Sequence, residues 1–374
     1  FKENYRYSFF CFSKGLISEG SIKYLVELFS KKDLYESLRW VLLDFFIDSS
    51  FHSSWFSTCF CQNSTAFNFV MDSFIDHTTN SEHFTSIYKF IYNLAFDSST
   101  FFPLSYINRI TFNTFQKIPK NMETIVQYSS FIMNFFRSYT RESKIDIFEP
   151  ENKNMILNLQ KWFEVPSELT FLNMLWCFYF WFRNTPTFGI IFYESFLFDL
   201  AMSYFTFDEN EYYLKLPDEK CFKIILSIVS TALFTTNEDY KHKLFQNLPI
   251  EKVIVIAFDE NNDISEEIKI NALSLCSNYA AAGFYFVENL IDCELFINIL
   301  NSFVNFTFPL KIQSAYCVIN SILYGNQDQV CRFSNQDFIN LLYEFLETSN
   351  EQLIIDTLQS FLLMITLDSQ LVSI

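Results

Sequence analysis

The sequence predicts an all-α fold, a right-handed superhelical solenoid of stacked helices. Three observations carry that expectation. The chain has 374 residues but only 5 Gly and 8 Pro, too few breakers for the many tight turns of an all-β sandwich. Half of its residues are apolar, which excludes disorder. Above all, the C-terminal third repeats itself.

The repeat is read at an offset of 42 residues. Lys269-Ile270-Asn271-Ala272-Leu273 matches Lys311-Ile312-Gln313-Ser314-Ala315. In the same register Asn278 meets Asn320, and Gly283 meets Gly325. Phe296-Ile297-Asn298-Ile299-Leu300 meets Phe338-Ile339-Asn340-Leu341-Leu342, and Phe303 meets Phe345. Each copy holds two stretches at helical spacing, Ile270, Leu273, Ser277 and Ala280, then Phe296, Ile299, Leu300 and Phe303. One such helical module cannot enclose its own apolar face, so modules stack on a shared core. The 49 Phe would fill those junction layers, although compositional bias alone could also supply them.

With Asn278 as anchor, equivalent positions along the chain are Asp44, Asn93, Asn134, Phe180, Thr231, Asn320 and Leu363. The wider spacings imply loop insertions at 141–154 and 207–219. The expected organisation is a single solenoid over 1–374. It holds about seven full repeats, with partial repeats at 1–32 and 350–374.

These residues resemble the armadillo family. The match is best at Ile17-Ser-Glu-Gly20-Ser-Ile-Lys-Tyr-Leu25-Val-Glu-Leu28, followed by Ser37-Leu38-Arg-Trp40-Val-Leu42-Leu-Asp44, and again over 264–347. Between about 120 and 260 paired-helix HEAT-like repeats fit as well. The resemblance implies a non-catalytic scaffold whose third helices line a concave groove. In the importin-alpha branch the anchor Asn binds the backbone of an extended peptide, and a Trp one turn earlier packs on Lys or Arg stems. Carried over residue by residue, the pairs are Trp40/Asp44, Lys89/Asn93, Ser130/Asn134, Trp176/Phe180, Ser227/Thr231, Ser274/Asn278, Tyr316/Asn320 and Gln359/Leu363. The candidate groove residues are Trp40, Asp44, Asn93, Asn134, Trp176, Asn278, Tyr316 and Asn320. No pair joins Trp to Asn, and only Lys2 and Arg6 stand where that branch has a basic arm. An alternative reading of the Asn residues is as helix caps or surface groups. Trp40 and Trp176 would serve equally as core.

Charge narrows the partner. The net charge is −17. Residues 251–374 alone hold 4 basic and 16 acidic side chains. A nucleic-acid partner is not expected, because phosphates are neutralised by Lys and Arg. A protein or peptide partner carrying Lys or Arg is expected, unless the charge only keeps a Phe-rich chain in solution. The more specific alternative is a nuclear-import adapter that binds localisation signals. Another is a structural subunit of a larger assembly.

No chemistry-bearing motif emerges. Five scattered Gly cannot form a phosphate-cradling loop. The four His (His52, His77, His83, His242) lack metal-ligand spacing. Asp259-Glu-Asn261-Asn-Asp263 imitates half a calcium loop, but Ile264 and Ile270 occupy the positions needing Gly and Glu. No cofactor, metal or catalytic residue is expected. The greasiest run, Phe171 to Phe182, is too short to cross a bilayer. Nine irregularly spaced Cys read as reduced thiols, which implies the cytoplasm or nucleus.

Overall fold

The structure is a computed structural model. It describes residues 19–76 except 32 and 53, scattered positions at 86–94 and 122–137, and 160–184, 192–205, 218–234, 237–259 and 264–367. Every regular element among the described residues is a helix, as the sequence predicts. The chain gathers into two compact units, 1–185 and 186–374.

The N-terminal unit begins with α1 (Glu19–Phe29), α2 (Glu36–His52), α3 (Ser54–Gln62) and α4 (Ser64–Asp76), and ends with α5 (Glu168–Asn184). Helices α1 to α4 pack on one another. Aromatic rings fill their junction. Phe29, Phe46, Phe60 and Phe90 are buried. Phe60 meets Phe90 edge-on at 4.7 Å, and Phe29 meets Phe46 at 5.4 Å. Edge-to-face pairs of this kind add about 1 kcal/mol beyond their burial. Here the Phe excess is structural filler.

The C-terminal unit opens with α6 (Phe196–Ser203) and the long α7 (Glu219–Ala232). Three repeats follow, each of two short helices and one long one. The first is α8 (Glu238–Asn247), α9 (Ile250–Ala257) and α10 (Glu266–Ala281). The second is α11 (Phe284–Asp292), α12 (Leu295–Ser302) and α13 (Phe308–Tyr324), with a 3-10 turn at Phe303–Asn305. The third is α14 (Gln327–Arg332), α15 (Gln336–Leu346) and α16 (Glu351–Leu367).

Local chemistry sets the boundaries. Asn237 caps α8 by accepting from the backbone N–H groups of Asp239 and Tyr240. Asn326 and Gln329 form a reciprocal capping box on α14. Pro309 sits in the first turn of α13, where its missing N–H costs nothing. The two glycines paired at 42 residues serve different needs. Gly283 has φ +135°, closed to most side chains. Gly325 has ordinary φ, but a Cβ there would lie 2.5 Å from the Ser321 carbonyl oxygen.

The sequence register holds in space. Phe303 and Phe345, identical across one repeat, touch with ring centroids 5.5 Å apart. Phe296 and Phe338 do so at 6.4 Å. The long helices form the spine: α7 packs on α10, α10 on α13, and α13 on α16.

Candidate functional site

The anchor residues are joined to one another's repeats by hydrogen bonds. The Asn278 amide on α10 donates to Ser230 Oγ on α7, at 2.6 Å. The Asn320 amide on α13 donates to Ser277 on α10, at 2.9 Å to Oγ and 3.2 Å to the carbonyl. The Cys317 thiol, one turn earlier, donates to the Leu273 carbonyl at 3.2 Å. Helices α10 and α13 thus each hold the long helix before them by an amide that reaches back about one repeat. The Ser acceptors are buried, so loss of the amide would strand a polar group.

The same device recurs in the N-terminal unit. The buried Asn93 donates to Ser50 Oγ at 3.1 Å and to the Ile47 carbonyl at 3.0 Å. Asn173 on α5 donates to Ser129 and Ser130, each at 3.0 Å.

These bonds correct the register in two places. By the pattern of Asn320 and Ser277, the residue equivalent to Asn93 follows Ser50, so Asp44 lies seven residues too early. Asp44 instead accepts from Ser86 at 3.1 Å, and Ser86 likewise precedes Asn93 by seven residues. In α5 the equivalent residue is Asn173 and not Phe180. Seven residues make two helical turns, so the apolar pattern alone could not tell the two registers apart. The missed signal was the polar pair: a Ser, then an Asn 43 to 48 residues later.

The other expected site residues fall as follows. Trp40 is half-buried on α2, and its indole N–H donates to Glu36 at 3.4 Å. Trp176 is half-buried on α5, stacked on Phe180 at 5.3 Å and edge-on to Tyr179. Asn134 lies outside the described residues. In the C-terminal unit Ser227 and Thr231 on α7, Ser274 and Asn278 on α10, and Tyr316 and Asn320 on α13 are all half-exposed. Gln359 and Leu363 continue the row on α16, where Leu363 stands in the Asn position. The structure therefore brings Asn278, Tyr316 and Asn320 together in one unit.

The row is acidic at its borders. Glu267 on α10 pairs with Lys223 on α7 across the junction. Burial first, and then the Asp356 charge, raise the Tyr316 phenol above its usual value, against a hydrogen bond with Asn350. Tyr316 is thus a neutral hydroxyl beside a carboxylate.

Among the described residues no cluster of His, Cys, Asp and Glu is placed to hold a metal ion. A cavity of about 500 Å3 opens at the turn between α9 and α10, lined by Asp259, Glu266, Lys269, Asn301, Asn305 and Thr307 among others. Its charged groups tie loops together: Lys269 donates to the Asp259 carbonyl, and Glu266 accepts from Thr307 at 2.6 Å. No described helix is long and apolar enough to cross a membrane. Five of the eight described cysteines are buried. Burial pushes the Cys61 thiol from 9.0 to about 12, and those of Cys177 and Cys317 well above the ordinary value.

No protein-family model matches the chain, and no curated protein matches it. Solved structures do. A designed armadillo repeat protein aligns over 68% of this chain and 98% of its own, at 11% identity and a TM-score of 0.52. Another, solved in complex with the peptide (KR)4, covers the same shares at 11% identity and a TM-score of 0.50. An engineered protein aligns over 92% of this chain and 78% of its own, at 8% identity and a TM-score of 0.64. Stacked short-short-long repeats, a row of long helices and these neighbours agree: the chain has an all-α repeat fold of the armadillo type.

Proposed function

We propose that the chain is a non-catalytic protein-binding scaffold, and that the row of long helices in its C-terminal unit holds an extended peptide rich in Lys or Arg. The observation that carries this reading is the placement of half-exposed Ser274, Asn278, Tyr316 and Asn320 at one register on neighbouring helices. Asn278 and Asn320 spend their N–H groups on the preceding helix. Each amide oxygen is left to accept from a peptide N–H. A peptide gripped through its backbone is held without being read. The side chains are then selected by charge. The C-terminal third has 16 acidic against 4 basic residues, so Lys and Arg heads are drawn to it. The likeness to a designed armadillo protein that binds (KR)4 supports the same reading.

A nuclear-import adapter would be one form of this scaffold. The row offers Tyr316 beside Asn320 but no Trp beside Asn, so the general scaffold is the form we carry. Buried thiols such as Cys177 and Cys276 suit a reducing compartment, the cytoplasm or nucleus.

The test is a fluorescence-anisotropy titration of labelled (KR)4 into the full chain. Saturable micromolar binding that weakens steeply with salt is expected. A peptide of alternating Asp and Glu should not bind. Tyr316→Ala, which leaves the Asn–Ser bonds intact, should weaken binding about fivefold or more. The Asn278→Ala, Asn320→Ala double variant, if circular dichroism shows it folded, should weaken it further. Absence of binding at low salt, or equal binding of the acidic peptide, would overturn the reading.

A further inference from the structure

Two helical turns before each anchor position, on the same face, the long helices carry Ile224 on α7, Asn271 on α10, Gln313 on α13 and Asp356 on α16. Ile224 is buried, and the other three are half-exposed. With Ser274 and Tyr316 between, Asn271 and Gln313 extend the peptide row toward the N-terminal ends of α10 and α13, two helices that pack directly on each other.

These two amides do not tie helices together. Asn278 and Asn320 bond the helix before them. Asn271 and Gln313 make no side-chain hydrogen bond among the described residues. The Asn271 Nδ2 is even shut off from water without an acceptor. Folded chains rarely leave such a group unanswered, so the amide is placed for something the chain does not itself supply. The charges nearby agree. Glu267, one turn before Asn271, is already paired with Lys223. Pro309 stands at the matching place on α13. Over α10 and α13 this part of the row therefore offers amides where a basic side chain would call for a carboxylate. Only on α16 is the position acidic. Asp356 there lies beside Tyr316 and accepts from Gln352 at 2.8 Å.

An extended chain sends alternate side chains to opposite sides. A peptide gripped by Asn278 and Asn320 thus turns every second side chain toward Ser274 and Tyr316, and beyond them toward Asn271 and Gln313. A side-chain amide both donates and accepts, and the group that answers both needs at once is another amide. We propose that Asn271 and Gln313 form a neutral, amide-reading subsite within the row, and that the partner peptide interleaves Asn or Gln with its Lys and Arg. The inference rests on the peptide row and narrows what lies in it: the amide side chains face α10 and α13, and a basic one faces Asp356.

The probes are three peptides titrated into the full chain: (KR)4, (KQ)4 and (KM)4. Met has nearly the shape of Gln without its amide, and the last two peptides carry equal charge. We expect (KQ)4 to bind at least about fivefold tighter than (KM)4. The Asn271→Ala, Gln313→Ala double variant should bring that ratio to about one and leave (KM)4 within about twofold, because the backbone grip is untouched. Gln313→Ala alone should lower the ratio partway, and it serves if circular dichroism shows the double variant unfolded. Gln313→Glu should raise (KR)4 over (KQ)4 by about fivefold. Three results would overturn the subsite and leave the peptide row standing: (KR)4 bound but (KQ)4 and (KM)4 equal, a ratio that the variants do not move, or an equal loss of all three peptides in the variants. If none of the three bound at low salt, the row would fall and the subsite with it.

Discussion

A side-chain amide that reaches back one repeat is a small device with a measurable effect. Asn320 bonds Ser277 where the serine is buried, so removing the amide leaves that hydroxyl without its donor. We expect Asn320→Ala to cost about 1 to 2 kcal/mol in urea unfolding. A double-mutant cycle with Ser277→Ala should return a coupling near 1 kcal/mol. Additive effects would mean that the bond does not form. The thiols give a second prediction at this scale. Exposed Cys331 should react with a thiol reagent in the native state, while Cys177 and Cys317 should react only on unfolding. The raised thiols also set an alkaline limit. Cys61 is held near 12 when folded against 9.0 unfolded, so above about pH 9 the unfolded chain sheds a proton that the folded one keeps. That part of the stability is complete below pH 9 and is lost as pH climbs toward 12, which melting temperature against pH would show.

Helices are where the sequence was most and least readable. Residues repeated at 42 give α10, α12, α13 and α15, because identical side chains fill identical junctions, while the short α11 and α14 lie outside the two stretches read in each copy. Phe303 against Phe345 is the direct case. Truncating Phe303, which is 3% exposed, to Ala should cost about 3 kcal/mol or more, with a favourable coupling to Phe345 near 1 kcal/mol. A loss below about 1 kcal/mol, read by urea unfolding, would contradict that packing. Apolar and aromatic residues run nearly unbroken through Trp40–Ile47 of α2 and Met174–Phe182 of α5, so a shift of two turns preserves much of the pattern. Asp44 and Phe180 were misplaced there for that reason, while the sparse polar pairs Ser50–Asn93 and Ser130–Asn173 fix the register. Of the candidate site, Asn278, Tyr316 and Asn320 were legible because they sit in the clean repeats. Their Ser partners were not, since a lone Ser in an apolar helix carries no pattern until its mate is found one repeat on.

At the scale of the whole molecule, charge and architecture act together. The net charge is −17, and the last third holds 16 acidic but only 4 basic residues, so on the proposed function the field draws a basic peptide in and the helix row holds it. The two contributions can be separated. Salt should slow peptide association much more than dissociation, because steering is screened while close contacts persist. Stopped-flow rates at two ionic strengths would check this. Equal effects on both rates would remove long-range charge from the account.

The central claim is that a basic peptide lies along α10 and α13. Photo-crosslinking tests it most directly. A (KR)4 peptide with a photoreactive residue at its centre is irradiated on the full chain, and the linked segments are identified by mass spectrometry. The account predicts adducts within Asn271–Asn278 and Gln313–Asn320. Adducts confined to α8, α11 or α14, or none at saturating peptide, would contradict it.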